Sequence, residues 1–240
     1  IDNNLGEAHI SLAISLMLNL WDWKGSEKEY KLGIELSPNY ATGHHWYAEW
    51  LLFNEKKEEA FKEISLAIEL DPVSPAIIKD KGIFYYYTRQ YDKCIETAKT
   101  TLELDPGFIA AHRILSLAYQ GKGMFEEAIA ENQLWGDGTN NKIKTDVALA
   151  QIYATAGRKE DARKIIAEKD IENILSGNDY RGIALVYAEL GDTDKAFEWL
   201  EKSCDHHEES LCSLKVDPKF DMLCLDPRFI KILGRLNFPE

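Results

Sequence analysis

ATGHHWYAEWLLFNEKKEEAFKEISLAIELDP, residues 41–72, decides the fold of this 240-residue chain. His44, Tyr47, Ala48 and Leu51 fall at i, i+3, i+4 and i+7, the spacing of one buried helical face. Ala60, Ile64 and Ala67 repeat that pattern on a second helix, and the charged run between the two predicts a short turn. Small residues at 48, 60 and 67 let neighbouring helices approach closely. Pro72, after Asp71, ends the second helix because proline cannot donate the next backbone hydrogen bond. Pro38, Pro72 and Pro106 stand 34 residues apart, so the unit recurs along the chain.

Ahead of this stretch, Ile10, Ala13, Ile14 and Met17 mark one helix. Tyr30, Gly33 and Pro38 mark its partner, with Asp22 of Trp21-Asp22-Trp23 positioned to cap it. After it, Ile78, Gly82 and Tyr85 pair with Cys94 and Ala98, where Cys94 takes the small-residue slot of Ala60. His112, Leu115, Ser116 and Tyr119 open the fourth unit. Its second helix is expected to fail early, at Trp135-Gly136-Asp137-Gly138 and Asn140-Asn141. Tyr119, Tyr153 and Tyr187 keep the 34-residue register through units five and six. The expected boundaries are about 7–40, 41–74, 75–108, 109–142, 143–176 and 177–206 within a repeat domain of 1–206. Residues 207–240 form a capping segment. There Asp217-Pro218 and Asp226-Pro227 each read as a cap followed by proline at the first helical position, and a helix near 228–236 covers the apolar face of unit six.

These repeats resemble tetratricopeptide repeats, whose pattern W-x2-L-G-x2-Y…A-x3-F…P appears as His44-x2-Tyr47-Ala48-x2-Leu51…Ala60-x3-Ile64…Pro72. The resemblance covers about 7–205. It implies an all-α, right-handed α-α superhelix (solenoid) of six tetratricopeptide helix pairs with a C-terminal helical cap. The ATGHHWYA segment, the Trp21-Asp22-Trp23 turn and the two Asp-Pro tail motifs look like a bacterial subgroup. In that subgroup such arrays follow adenylate-cyclase-like, kinase-like or winged-helix domains in signalling proteins. A chain beginning at Ile1 rather than Met fits a piece of such a protein.

The resemblance further implies that first helices line a concave groove that binds a peptide or partner domain. The groove residues are then His45, Glu49, Phe53, Lys79, Ile83, Tyr86, Tyr87, Arg113, Gln120, Lys144, Gln151 and Arg181. Lys79, Arg113, Lys144 and Arg181 form a basic row able to receive carboxylates of an acidic or C-terminal peptide, and the aromatic rings offer apolar contact. The partner is expected to be a protein or peptide, including an effector domain of the same chain. The clamp of some chaperone-binding members is not matched, because Ser15, Glu49, Ile83, Leu117, Gln151 and Leu185 stand where its asparagine belongs. An alternative function is ligand sensing, in which a small molecule occupies an enclosed pocket of converging polar groups. The open-groove reading instead expects Tyr86 and Tyr87 exposed.

Composition limits the remaining classes. Lys+Arg is 28 against Asp+Glu 41, a formal net charge of −13. Nucleic-acid binding needs clustered basic side chains, and docking on anionic lipid needs the same. No apolar run reaches about 18 residues, so no membrane insertion is expected. No G-x-S-x-G, H-E-x-x-H or phosphate-cradling glycine loop is present, so the chain reads as no enzyme, with no cofactor. Cys204, His206, His207 and Cys212 match no usual zinc spacing and read as a helix end without metal. Cys94, Cys204, Cys212 and Cys224 form no C-x-x-C pair, which favours a reducing, cytoplasmic setting over a periplasmic one.

Overall fold

The computed structural model describes residues 5–168 and 179–239. The junction expected between units five and six lies outside the described residues. Within them the chain forms thirteen α-helices and two 3-10 turns, with no strand. Helices α1 (Gly6–Leu20) and α2 (Trp23–Leu36) make the first pair, followed by α3 (Ala41–Phe53) with α4 (Lys57–Leu70) and α5 (Pro75–Tyr87) with α6 (Tyr91–Leu104). Then come α7 (Ala110–Gly121) with α8 (Phe125–Gly138), α9 (Lys142–Thr155) with α10 (Lys159–Glu168), and α11 (Tyr180–Leu190) with α12 (Thr193–Asp205). Each helix packs on its partner, and α2, α4, α6 and α8 also pack on the first helix of the next pair, which generates the solenoid.

The turn inside each pair follows one rule. A residue with positive φ stands at 21, 55, 89, 123, 157 and 191, each 34 residues from the last. The left-handed residue lets the following N–H reach back into the helix it has just left: Lys56 to Leu51 O at 2.9 Å, Gln90 to Tyr85 O at 2.8 Å, and Arg158 to Tyr153 O at 2.8 Å. Glycine fills this place at 123, 157 and 191, whereas Trp21, Glu55 and Arg89 fill it in the first three pairs. A side chain there costs about 1–2 kcal/mol.

Where the second helix meets the first, Ser26, Ala60, Cys94, Ala128, Ala162 and Ala196 are all fully buried, again 34 residues apart. Only small side chains stand at these six positions. Cys94 is therefore a packing residue, and burial pushes its thiol up to about 12. A polar clamp ties three of the pairs. His9 contacts Glu29 at 2.5 Å, His44 contacts Glu63 at 2.6 Å, and His112 contacts Glu131 at 2.6 Å. His44 also reaches the Pro38 carbonyl at 2.9 Å. It is thus a packing residue with both ring nitrogens engaged.

One sequence expectation fails. Helix α8 runs without interruption through Trp135-Gly136-Asp137-Gly138, and the loop is confined to 139–141. The glycines serve close packing rather than a turn. A Cβ on Gly138 would stand 2.4 Å from Ile109 Cδ1, and one on Gly136 would touch Thr145. The asparagine signal was real but local, since Asn141 caps α9 by accepting from Lys144 N at 3.1 Å.

The cap follows the two Asp-Pro motifs. Asp217 accepts from Lys219 N at 3.0 Å over the 3-10 turn Pro218–Phe220, and Asp226 accepts from Arg228 N at 2.9 Å at the start of α13 (Pro227–Arg235). Phe229 and Ile232 of α13 are buried, and α13 packs on α12 as a terminal cover. The cap then does something the repeat pattern does not announce. The Leu236 carbonyl accepts from Trp23 Nε1 at 2.7 Å, and Phe238 stacks on Trp23 with centroids 4.5 Å apart. The last residues thus return to the first helix pair, and one apolar cluster joins Met17, Trp23, Leu211, Phe229 and Leu236.

The glycine rule gives a direct check. A Cβ on Gly157 would meet nothing within 4 Å, so Gly157→Ala isolates backbone strain. Urea unfolding should show a loss of about 1–2 kcal/mol. An unchanged midpoint would mean the turn does not need its left-handed residue.

Candidate functional site

The concave face is occupied by the chain's own tail. Glu208 sits over the N-terminus of α11, accepting from Asp179 N at 2.5 Å, Tyr180 N at 2.9 Å and Arg181 N at 3.0 Å, with Ser203 Oγ donating as well. These amides have no partner within the helix, so a carboxylate there satisfies both the free donors and the helix dipole. Leu211, Cys212 and Leu214 are then buried, and the Cys212 thiol approaches the Met17 carbonyl of α1 at 3.6 Å.

Asp217 lies at the centre. One carboxylate oxygen accepts from the Tyr86 hydroxyl at 3.1 Å and from Lys219 N, and the other is bound by the Arg181 guanidinium. Arg181 also covers the Phe220 ring at 4.9 Å. Tyr86 is 2% exposed, its hydroxyl driven well above its ordinary pKa by burial and by the Asp217 charge. Burial works against the charge on Arg181, but Asp217 outweighs it and holds the guanidinium protonated.

The three non-glycine turn residues now acquire a purpose. Trp21 stacks on His207 at 4.4 Å, Glu55 pairs with Lys215 at 2.7 Å, and Arg89 pairs with Asp221 at 2.5 Å. Each left-handed residue of the first three pairs grips the tail, in the order in which the tail crosses those pairs. The exposed ion pairs are individually weak. What they share is direction.

Between repeats and tail remains a partly enclosed cavity of about 800 Å³. Of the sequence-assigned groove residues, Glu49, Phe53, Ile83, Tyr86, Tyr87, Arg113, Gln120, Lys144, Gln151 and Arg181 line it. His45 and Lys79 do not. His45 Nε2 bonds Asp80 at 2.9 Å, and Lys79 binds the other oxygen of Asp80. Burial opposes charge on both His45 and Asp80, yet their mutual bond raises the imidazole and lowers the carboxyl. Burial and nearby Asp80 push Glu49 up to about 7. His45, Glu49 and Asp80 are close enough to share a cation, but Lys79 already competes for Asp80. The expectation of an open groove with exposed Tyr86 and Tyr87 is corrected: Tyr86 is buried and Tyr87 partly so, because the tail lies over them.

Sequence reasoning missed the tail's contribution: Glu208, Asp217 and Lys219. Lys219 reaches Gln151 Oε1 at 3.0 Å inside the groove. Burial holds its ammonium down to about 8 despite Asp217, and the positive charges of Arg113 and Arg181 add to the depression. The Asp-Pro-Lys-Phe signal was visible but read as a cap alone. The Cys204, His206, His207 and Cys212 side chains turn to separate partners. His206 Nδ1 meets the Lys202 carbonyl, His207 meets Trp21, and the two thiols are buried.

The family described as Tetratricopeptide repeat matches residues 182–205. Small glutamine-rich tetratricopeptide repeat-containing protein 2 of Mycosarcoma maydis is 26% identical over 112 residues, 46% of this chain and 32% of that protein. The chain thus spans about a third of that relative's length. Among solved structures, PilW, a widely conserved type IV pilus biogenesis factor, is similar with TM-score 0.64 at 16% identity, over 83% of this chain and 92% of that one. PilF of Pseudomonas aeruginosa gives TM-score 0.60 at 16% identity, over 88% and 95%. The Cut9–Hcn1 hetero-tetramer of APC/C gives TM-score 0.64 at 14% identity, over 98% of this chain and 43% of that chain. At such identities the likeness establishes the fold, an all-helical solenoid of the tetratricopeptide kind.

Lys219 offers a titration test. Its folded pKa lies below the unfolded lysine value of 10.5, so the buried charge costs stability at neutral pH. That cost is relieved as the pH climbs from about 8 towards 10.5, because the folded chain sheds its proton first. Relative to a Lys219→Met variant, the wild type should gain stability across that window in pH-dependent urea unfolding. A constant gap between the two would contradict the assignment.

Proposed function

We propose that this chain is a non-catalytic protein-interaction module whose concave face binds an extended acidic segment, and that its own tail holds that face until a partner takes it. The observation that carries the reading is Asp217, an acidic side chain on a folded-back segment, gripped by Arg181 and Tyr86 of the repeat surface. The tail thus already sets an acidic side chain against Arg181, one member of the basic row. Cut9–Hcn1 is itself a hetero-tetramer, which supports assembly with other proteins as a use of this fold. Among the described residues no helix is long and apolar enough to cross a membrane. In this reading the module serves a larger bacterial signalling protein in the cytoplasm, and the natural occupant is an acidic or C-terminal segment of a partner or of an effector domain of the same chain.

The tail competes from within, at an effective concentration of order millimolar. A partner must therefore outcompete it or bind after the tail is loosened. A fluorescein-labelled peptide of residues 208–221 tests this by fluorescence anisotropy. It should bind the wild type weakly and an Asp217→Ala variant at least about tenfold more tightly. Adding Arg181→Met should abolish the gain. Equally weak binding to wild type and Asp217→Ala would refute an exchangeable groove.

A further inference from the structure

The cavity left beside the tail holds more cationic chemistry than the fold uses. Arg113, Lys144 and Lys219 all line it. Among the described residues none of the three makes an ion pair; Arg113 lies over the Trp135 ring at 5.7 Å, and Lys219 bonds the neutral amide of Gln151. Five carboxylates, Glu49, Asp179, Glu208, Glu209 and Asp217, line the same cavity, and among the described residues none forms an ion pair with these three cations. Glu208 is saturated by the α11 amides and Ser203, and Asp217 by Arg181 and Tyr86. Asp179 feels Arg113 and Lys144 electrostatically but pairs with neither. One buried donor of a lining residue, Arg181 Nε, has no hydrogen-bond partner. An unsatisfied donor and unpaired cations around one cavity are what a missing anionic ligand leaves behind.

Set among polar side chains is an apolar part of the lining, with Trp135, Leu117, Tyr87 and Phe53 partly buried around the same space. About 800 Å³ lies within the range of small-molecule sites and is far too small for a folded partner. From this geometry we infer a second binding site, for a small organic anion. Its carboxylate or phosphate-type head meets Arg113, Lys144 and Lys219, and its apolar, preferably aromatic, body lies against Trp135 and Leu117. The site shares Arg113 and Lys144 with the basic row of the peptide reading but does not depend on it, because neither side chain takes part in holding Asp217. Since Lys219 comes from the tail, a bound anion bridges tail and repeats.

Isothermal titration of the full chain with benzoate, 2-naphthoate and indole-3-acetate tests the inference, with the matching amides as uncharged controls and inorganic phosphate as the bare anion. At least one aryl carboxylate should bind with one-to-one stoichiometry, more tightly than its amide and more tightly than phosphate. Arg113→Gln and Lys144→Gln should each weaken it by about tenfold or more. Both variants should keep the wild-type melting temperature, since neither side chain makes an ion pair among the described residues. Failure of all three carboxylates at millimolar concentration would overturn the site. So would equal binding of acid and amide, phosphate binding as tight as the carboxylates, or undiminished binding by both folded variants.

Discussion

A buried ion pair holds this molecule in its closed form. Arg181 of α11 and Asp217 of the tail are both nearly inaccessible, at 11% and 6% side-chain exposure, and Tyr86 adds a hydrogen bond from the third helix pair. Pairs of this kind contribute little net stability, because the desolvation of both ions offsets their attraction. Breaking one half is nevertheless expensive, since it strands a charge in the interior. That asymmetry suits a latch. The tail either places Asp217 against Arg181 or leaves the groove, and a partial fit leaves a charge unpaired.

The rest of the closure is arranged around that point. Glu208 fixes the tail's entry over the α11 N-terminus, and Trp23 receives the chain end through the Leu236 carbonyl. The first three helix pairs accept left-handed Trp21, Glu55 and Arg89 where the later pairs use glycine. Those three side chains contact His207, Lys215 and Asp221. The strain in the turns therefore coincides with the tail's path, and is absent from the pairs whose turn residue is glycine.

Much of this architecture was legible in the sequence. The 34-residue period, the small-residue slots at 60, 94, 128, 162 and 196, and the Asp-Pro caps are local patterns, and local patterns translate directly into helices and their ends. The stretch at 135–138 misled, because glycine in a helix has two causes. Turn formation and close packing look alike until the neighbour, here Ile109, is in place. Most of the predicted groove residues do converge on one cavity. His45 and Lys79 do not, because Asp80, adjacent to Lys79, captures both. The tail's return was not legible at all. Residues 131 positions apart, such as Tyr86 and Asp217, carry no periodic signal that links them.

The most direct test of the account is hydrogen–deuterium exchange of the backbone amides of residues 211–223 in the intact chain, read alongside those of α11. If the tail is the groove's resident occupant, these amides exchange as slowly as the helix they lie against. Exchange at the rate of an unstructured chain, with α11 still protected, would show that the concave face is open and that the closure described here does not exist in solution.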